Sequence, residues 1–239
     1  MENWAIPQIV SRSQWLEERK SLLQKEKEAT RYLDGVKAAR RSMPMVEVEK
    51  SYHFEGARGV VSLLDLFEGR RQLIVHHFMY FDDSSRFCPG CSLEADQNYG
   101  RFLIEKLNEK SVSLVAISRA PLLRIQEEMA RKNWDFPFFS SQNSDFNYDF
   151  QATLDPKRNR EYNYQGIDQK DWMKDYEGDL PGKSVFFRDG ETVYHTYSSF
   201  ARGTEPAATH YNYLDLTPYG RQESWEKSPK GWPQNPNYG

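Results

Sequence analysis

Cysteine is nearly absent from this 239-residue chain, which has only Cys88 and Cys91, two residues apart. A secreted disulfide scaffold usually needs more bridges, and bridges that close longer loops, so that class is disfavoured. A bond between these two thiols would close almost no loop and add little stability through chain entropy. A reactive role is the better reading. Long apolar runs are missing too. The longest, Leu73 to Phe81, is interrupted by His76 and His77 and is far shorter than the roughly 20 residues a membrane-spanning helix requires. The first residues, Met1-Glu-Asn-Trp4, lack the positive start and apolar stretch of a secretory signal. Neither sign of charge dominates: 32 Lys and Arg stand interspersed with 35 Asp and Glu. Without a basic block, nucleic acid is not an expected partner. The expectation is a cytoplasmic protein that binds neither membrane nor nucleic acid, and no internal repeat is visible.

What is present suffices for a real core. Apolar residues make up 38% of the chain, including 14 Tyr, 14 Phe and 6 Trp. Residues 13–42 read as a long charged helix capped by Ser11 or Ser13, with Glu17 and Glu18 at the positive end of its dipole and Pro44 beyond its end. Trp15, Leu22, Ala29 and Val36, with Leu16, Leu23 and Leu33 beside them, form a narrow apolar stripe. That stripe should pack across the domain or against a second copy of the chain in a homodimer. The expected organisation is an N-terminal helical extension over 1–44, one α/β domain over 45–220 and a C-terminal tail over 221–239.

Within the α/β domain, residues 45–54 alternate loosely and predict an edge strand or hairpin arm, and Gly59 to Gly69 predicts a short helix. Leu73 to Phe81 is apolar on both faces, as a covered central strand would be. Leu93, Ala95, Tyr99, Phe102, Leu103 and Leu107 fall at helical spacing, Val112 to Ser118 is a second apolar strand, and Pro121 opens another helix. The resulting β–α–β–α order implies parallel strands joined by a right-handed crossover. Residues 140–180 are polar and irregular, with a helix near Lys170–Tyr176. Asp189-Gly190 between two β-rich runs then predicts a closing hairpin. The aromatics Trp134, Phe136, Phe138 and Phe139 suit a core, or the wall of a groove.

The chemistry concentrates in Phe87-Cys-Pro-Gly-Cys-Ser92. A cysteine attacks as its thiolate, and the first turn of a helix favours that form through unpaired amides and the helix dipole. Cys88 falls where a loop enters the next helix, and Pro89 suits the first helical position. Cys91, one turn on, can resolve a mixed disulfide formed at Cys88. The prediction is an exposed, acidic Cys88 and a more buried Cys91, with Pro89 and Gly90 beside the bound substrate, a protein or small-molecule thiol or disulfide. Ser118 and Arg119 end a parallel strand, where α/β proteins tend to bind ligands, and Arg119 could favour the Cys88 thiolate or an anionic substrate. Cys88 and Cys91 with one histidine could make a metal site. However, there is no second C-x-x-C, and adjacent strand histidines point to opposite faces, so neither metal nor other cofactor is expected.

The order of strand, C-x-x-C helix, strand, helix and closing hairpin resembles the thioredoxin superfamily. More closely, the chain resembles domain of unknown function 899, a family of predicted dithiol–disulfide oxidoreductases. The resemblance runs through Trp15-Leu-Glu-Glu-Arg-Lys-Ser-Leu-Leu23, Leu73-Ile-Val-His-His-Phe-Met79, Cys88-Pro-Gly-Cys-Ser92 and Leu114 to Pro121. It continues through Ser184 to Gly190, His195-Thr-Tyr-Ser198 and Tyr213 to Pro218. It implies a thioredoxin-like fold with a central mixed sheet. Thioredoxins carry a buried acid near the second cysteine, and the similar run here puts His76 near that place, so His76 or His77 becomes a candidate proton acceptor. The alternatives are a thiol peroxidase, with Ser85 where peroxiredoxins usually have threonine, and a binding protein that uses the dithiol as a redox-sensitive latch.

Overall fold

The computed structural model describes residues 4–236; the first three residues of the N-terminal stretch and the last three of the tail lie outside them. Eight strands form one mixed sheet: β1 (Val46–Glu47), β2 (His53–Gly56), β3 (Gly59–Ser62), β4 (Gln72–His77), β5 (Val112–Ser118), β6 (Phe138–Ser140), β7 (Gly182–Asp189) and β8 (Thr192–Phe200). Their spatial order is β1-β8-β7-β4-β5-β6-β2-β3. Strands β4, β5 and β6 run parallel, while β7 lies antiparallel to β4 and to β8. The β4–β5 connection carries the helices α2 (Pro89–Asn98) and α3 (Arg101–Asn108), the length of chain a parallel crossover needs. Helix α4 (Leu122–Lys132) joins β5 to β6. This is the thioredoxin-like arrangement, with the hairpin β7–β8 closing one side of the parallel pair.

Alternation along β4 divides the core. Leu73 and Val75 join Phe54, Phe67, Phe146 and Phe186 on one face, while Ile74 and Phe78 join Phe87, Cys91, Ala95, Tyr99 and Phe138 on the other. Phe136 and Phe138 are buried and Trp134 packs against them, so these aromatics are core; Phe139 belongs to the opposite face.

Several local expectations change. Residues 45–54 are not one strand: β1 pairs with β8, whereas β2 pairs with β3 and β6 at the far edge. Gly59 to Gly69 is not a helix. Gly56 and Gly59 face each other across a two-residue turn, so Val60 and Val61 continue as β3, and only Asp65–Phe67 makes a short 3₁₀ turn. A side chain at Gly56 would meet the Phe139 ring at 2.8 Å, which explains the glycine there. The helix over 93–107 breaks at Gly100, which caps α3 in an extended conformation. The apolar run from Leu73 leaves the sheet after His77, and Tyr80–Phe81 pairs with Arg86–Phe87 in a small hairpin that leads into Cys88.

The chain divides into two compact units, Met45–Thr209 and the pairing of Met1–Pro44 with His210–Gly239. In the second unit, helix α1 (Arg12–Arg41) begins at Ser11, where Gln14 N–H donates to the Ser11 hydroxyl at 3.3 Å and Ser11 N–H donates to Gln14 Oε1 at 3.1 Å. None of its residues is buried, so the apolar stripe is left uncovered. The tail is irregular and tied down. Ala5 N–H donates to Gly231 O at 3.0 Å, the Tyr219 hydroxyl donates to Ala5 O at 3.0 Å, and Tyr219 meets Trp232 edge to face. Among the described residues no helix is long and apolar enough to cross a membrane.

Candidate functional site: the dithiol and the groups around it

Cys88 is the N-cap of α2, with Pro89 at the first helical position and Cys91 in the first turn. Cys88 N–H is held by Met79 O at 3.1 Å, which fixes the loop against the end of β4. Cys88 is partly exposed and Cys91 is buried; neither is in a disulfide. The Cys88 thiol is lowered to about 6, chiefly by a hydrogen bond from the Cys91 thiol. Backbone N–H groups of Cys91 and Gly90 and the charge of Arg86 act in the same direction, against burial. Cys91 is pushed well above its ordinary range by its bond to Cys88, by burial and by the Cys88 charge, while Met79 N–H and Lys183 oppose the rise. One thiol is thus prepared as the anion and the other as its proton-bearing partner.

The two histidines point to opposite faces of β4. His76 Nδ1 lies 2.7 Å from the Tyr99 hydroxyl, which donates to Glu94 Oε1 at 3.0 Å. With the Tyr99 proton directed at Glu94, His76 must donate through Nδ1–H. Its pKa lies well below the ordinary value because of burial and the charges of Lys183 and His77. Lys183 completes the cluster, 2.9 Å from both Glu94 oxygens. His77 belongs to the other face, stacked on Phe146 with its centroid 5.5 Å away and lowered to about 3 by burial first and then by nearby charge. Its Nε2 is 2.8 Å from Ser184 Oγ, and the chain continues through Ser198 Oγ to His195 Nε2. Only His76 shares the dithiol's side.

Pro89 and Gly90 are both exposed at the helix start beside Cys88. Ser118 is buried, and its hydroxyl accepts Ala120 N–H at 3.2 Å. Arg119 is committed elsewhere than to the thiols. It donates to Asp179 at 3.2 Å, lies 3.7 Å from Asp82, and covers the Tyr148 ring. Buried Asp179 also accepts from Tyr80 N–H at 3.0 Å and from the Thr153 hydroxyl at 2.7 Å. It therefore clamps the hairpin that precedes Cys88 to the irregular segment between β6 and β7. That segment also brings Tyr162 and Tyr176 within electrostatic reach of Cys91 and Cys88 respectively.

Sequence reasoning missed Glu94, Tyr99, Asp179 and Arg86, and it gave Lys183 no role. Glu94 was accessible in principle, since it lies three residues after Cys91 on the same helix, and a buried-face acid one turn from a cysteine is a signal. Lys183 and Asp179 carry no local signal. Among the described residues no group of three or more His, Cys, Asp or Glu side chains could hold a metal ion.

A comparison with curated proteins finds no match. Among solved structures, peroxidoxin BcpB from Mycobacterium tuberculosis is similar at 15% identity, over 70% of this chain and 94% of that one, with a TM-score of 0.46. Peroxiredoxin Q from Xanthomonas campestris is similar at 12% identity, over 66% and 86%, with a TM-score of 0.47. The mitochondrial 2-Cys peroxiredoxin from Plasmodium falciparum is similar at 14% identity, over 73% and 94%, with a TM-score of 0.41. The profile of the family described as bacterial protein of unknown function (DUF899) matches residues 5–238, and the chain belongs to that family.

Proposed function

We propose that the chain is a dithiol–disulfide oxidoreductase in which Cys88 is the nucleophile and Cys91 the resolving thiol. The observation that carries this reading is the donor set on Cys88: the Cys91 thiol and the N–H groups of Gly90 and Cys91 converge on one sulfur at a helix N-terminus. The Cys88 thiolate attacks one sulfur of a substrate disulfide, and the other leaves as a thiolate. Cys91 then loses its proton and attacks Cys88, releasing the second substrate thiolate and leaving the Cys88–Cys91 disulfide. Two electrons pass from the dithiol to the substrate. The exposed Gly90 leaves the approach to Cys88 open, and Pro89 starts the helix without an N–H that would need a partner.

Alkylation against pH, followed residue by residue, tests this. Cys88 should react half-maximally at a pH of about 6, far below Cys91. Insulin-disulfide reduction should fall by a factor on the order of a thousand in Cys88→Ser. Faster alkylation at Cys91 would sink the assignment. Cys88-dependent consumption of a hydroperoxide, with insulin left intact, would replace it with a thiol peroxidase that forms a sulfenic acid at Cys88.

A further inference from the structure

In the second half of this exchange the proton of Cys91 needs a destination. This thiol is buried with 6% exposure, so releasing its proton to water would leave a bare thiolate in the core. Close to it on the same side of the sheet lies a buried pair of charges. Glu94 sits one turn after Cys91 on the buried face of α2, and Lys183 reaches it from β7. Their side chains keep only 10% and 14% exposure. A buried ion pair contributes little net stability, because desolvating both charges offsets their attraction. Its position gives it a chemical use.

The groups facing Cys91 come from four directions. Cys88 and Glu94 lie on its own helix, with Tyr99 just beyond its end. Lys183 faces it from β7, Tyr162 from the irregular segment, and Met79 N–H from the end of β4. His76 on β4 is neutral and reaches the cluster through Tyr99. Of these, Glu94 carries the carboxylate that can take a proton, and Tyr99 and Lys183 hold both of its oxygens.

We propose that Glu94, held by Lys183 and Tyr99, accepts the Cys91 proton in the second half of the exchange. The inference rests on the dithiol reading above. The Cys91 S–H bond breaks and its proton goes to Glu94. The sulfur's electron pair forms the bond to Cys88, and the substrate thiolate departs with the electrons of the bond that breaks. Lys183 faces the Glu94 carboxylate before the transfer and the Cys91 thiolate as it attacks. The buried net charge therefore stays constant until the bond to Cys88 forms; the negative charge then leaves with the substrate thiolate, and Glu94 passes its proton to that thiolate or to water, which restores the pair with Lys183. Lys183 acts as a positioning residue.

A single-turnover reaction with a coloured nitrobenzoate disulfide separates the steps. The first thiolate released reports attack by Cys88, and the second reports resolution by Cys91. In Glu94→Gln the ratio of second to first rate should fall at least tenfold at neutral pH, and Glu94→Asp should recover part of it. Lys183→Met/Glu94→Gln, which leaves no unpaired charge, should show the same fall and serves if the single variant does not fold. An unchanged ratio in either folded variant overturns the proposal. So does a rate of resolution in the unaltered protein that drops about tenfold per unit between pH 9 and pH 7, the behaviour of a thiol ionising without an acceptor. Absence of the first release would instead sink the dithiol reading itself.

Discussion

The two faces of β4 solve the burial of adjacent histidines in opposite ways. On the α2 side, His76 enters a charged cluster of Tyr99, Glu94 and Lys183 beneath the dithiol. On the other side, His77 enters a neutral hydroxyl chain, Ser184 and Ser198, packed among phenylalanines. Burial lowers both imidazoles, so neither carries a charge near neutrality. The difference lies in their partners. Charge has been kept on the side where a thiol must ionise, while the opposite face is built as ordinary core. A buried ion pair that adds little to stability is explained by what lies next to it.

Removing one charge should separate the faces most. Lys183→Met leaves Glu94 buried without its cation and should cost about 3–5 kcal/mol in urea unfolding. A loss below about 1 kcal/mol would mean that solvent screens the pair and the contrast is false.

Acid should expose what the faces share. Both histidines have folded-state values below their unfolded value of roughly 6.5, so the unfolded chain takes up protons first. Their contribution is complete above that pH and is lost as pH falls through it towards the folded values. For His77, held at about 3, the loss at pH 5 should be about 2 kcal/mol. His77→Gln should flatten the dependence of the urea midpoint between pH 7 and pH 5; an unaltered slope would show that His77 titrates normally.

The smallest effect belongs to the neutral chain. Ser184→Ala should cost about 1–2 kcal/mol by depriving His77 Nε2 of its partner. The rate of disulfide exchange should stay within about twofold, since Ser184 lies on the far face of the sheet. A large drop in rate would mean that the hydroxyl chain is coupled to the dithiol.

Much of the scaffold was legible because it is locally encoded. Strand β5, helix α4 and the Asp189-Gly190 hairpin follow from apolar periodicity and turn chemistry alone. Val60 to Phe67 misled because apolar residues at 60, 63, 64 and 67 fit a helix, whereas the pairing of Gly56 with Gly59 commits the segment to a strand. The 45–54 segment misled because its two halves pair with strands far apart in the chain.

The same division runs through the site. The spacing of Cys88 and Cys91, with proline between them, places both in the first turn of a helix, so the sequence by itself determined which thiol caps the helix and which lies inside it. Helical periodicity also puts Glu94 one turn from Cys91. The identity of its partner is a tertiary fact. Lys183 lies 89 residues from Glu94 and arrives because β7 pairs antiparallel with β4, setting Lys183 opposite His76. Shifting that register by one residue would turn Lys183 to the face of Phe146 and leave Glu94 buried without a cation.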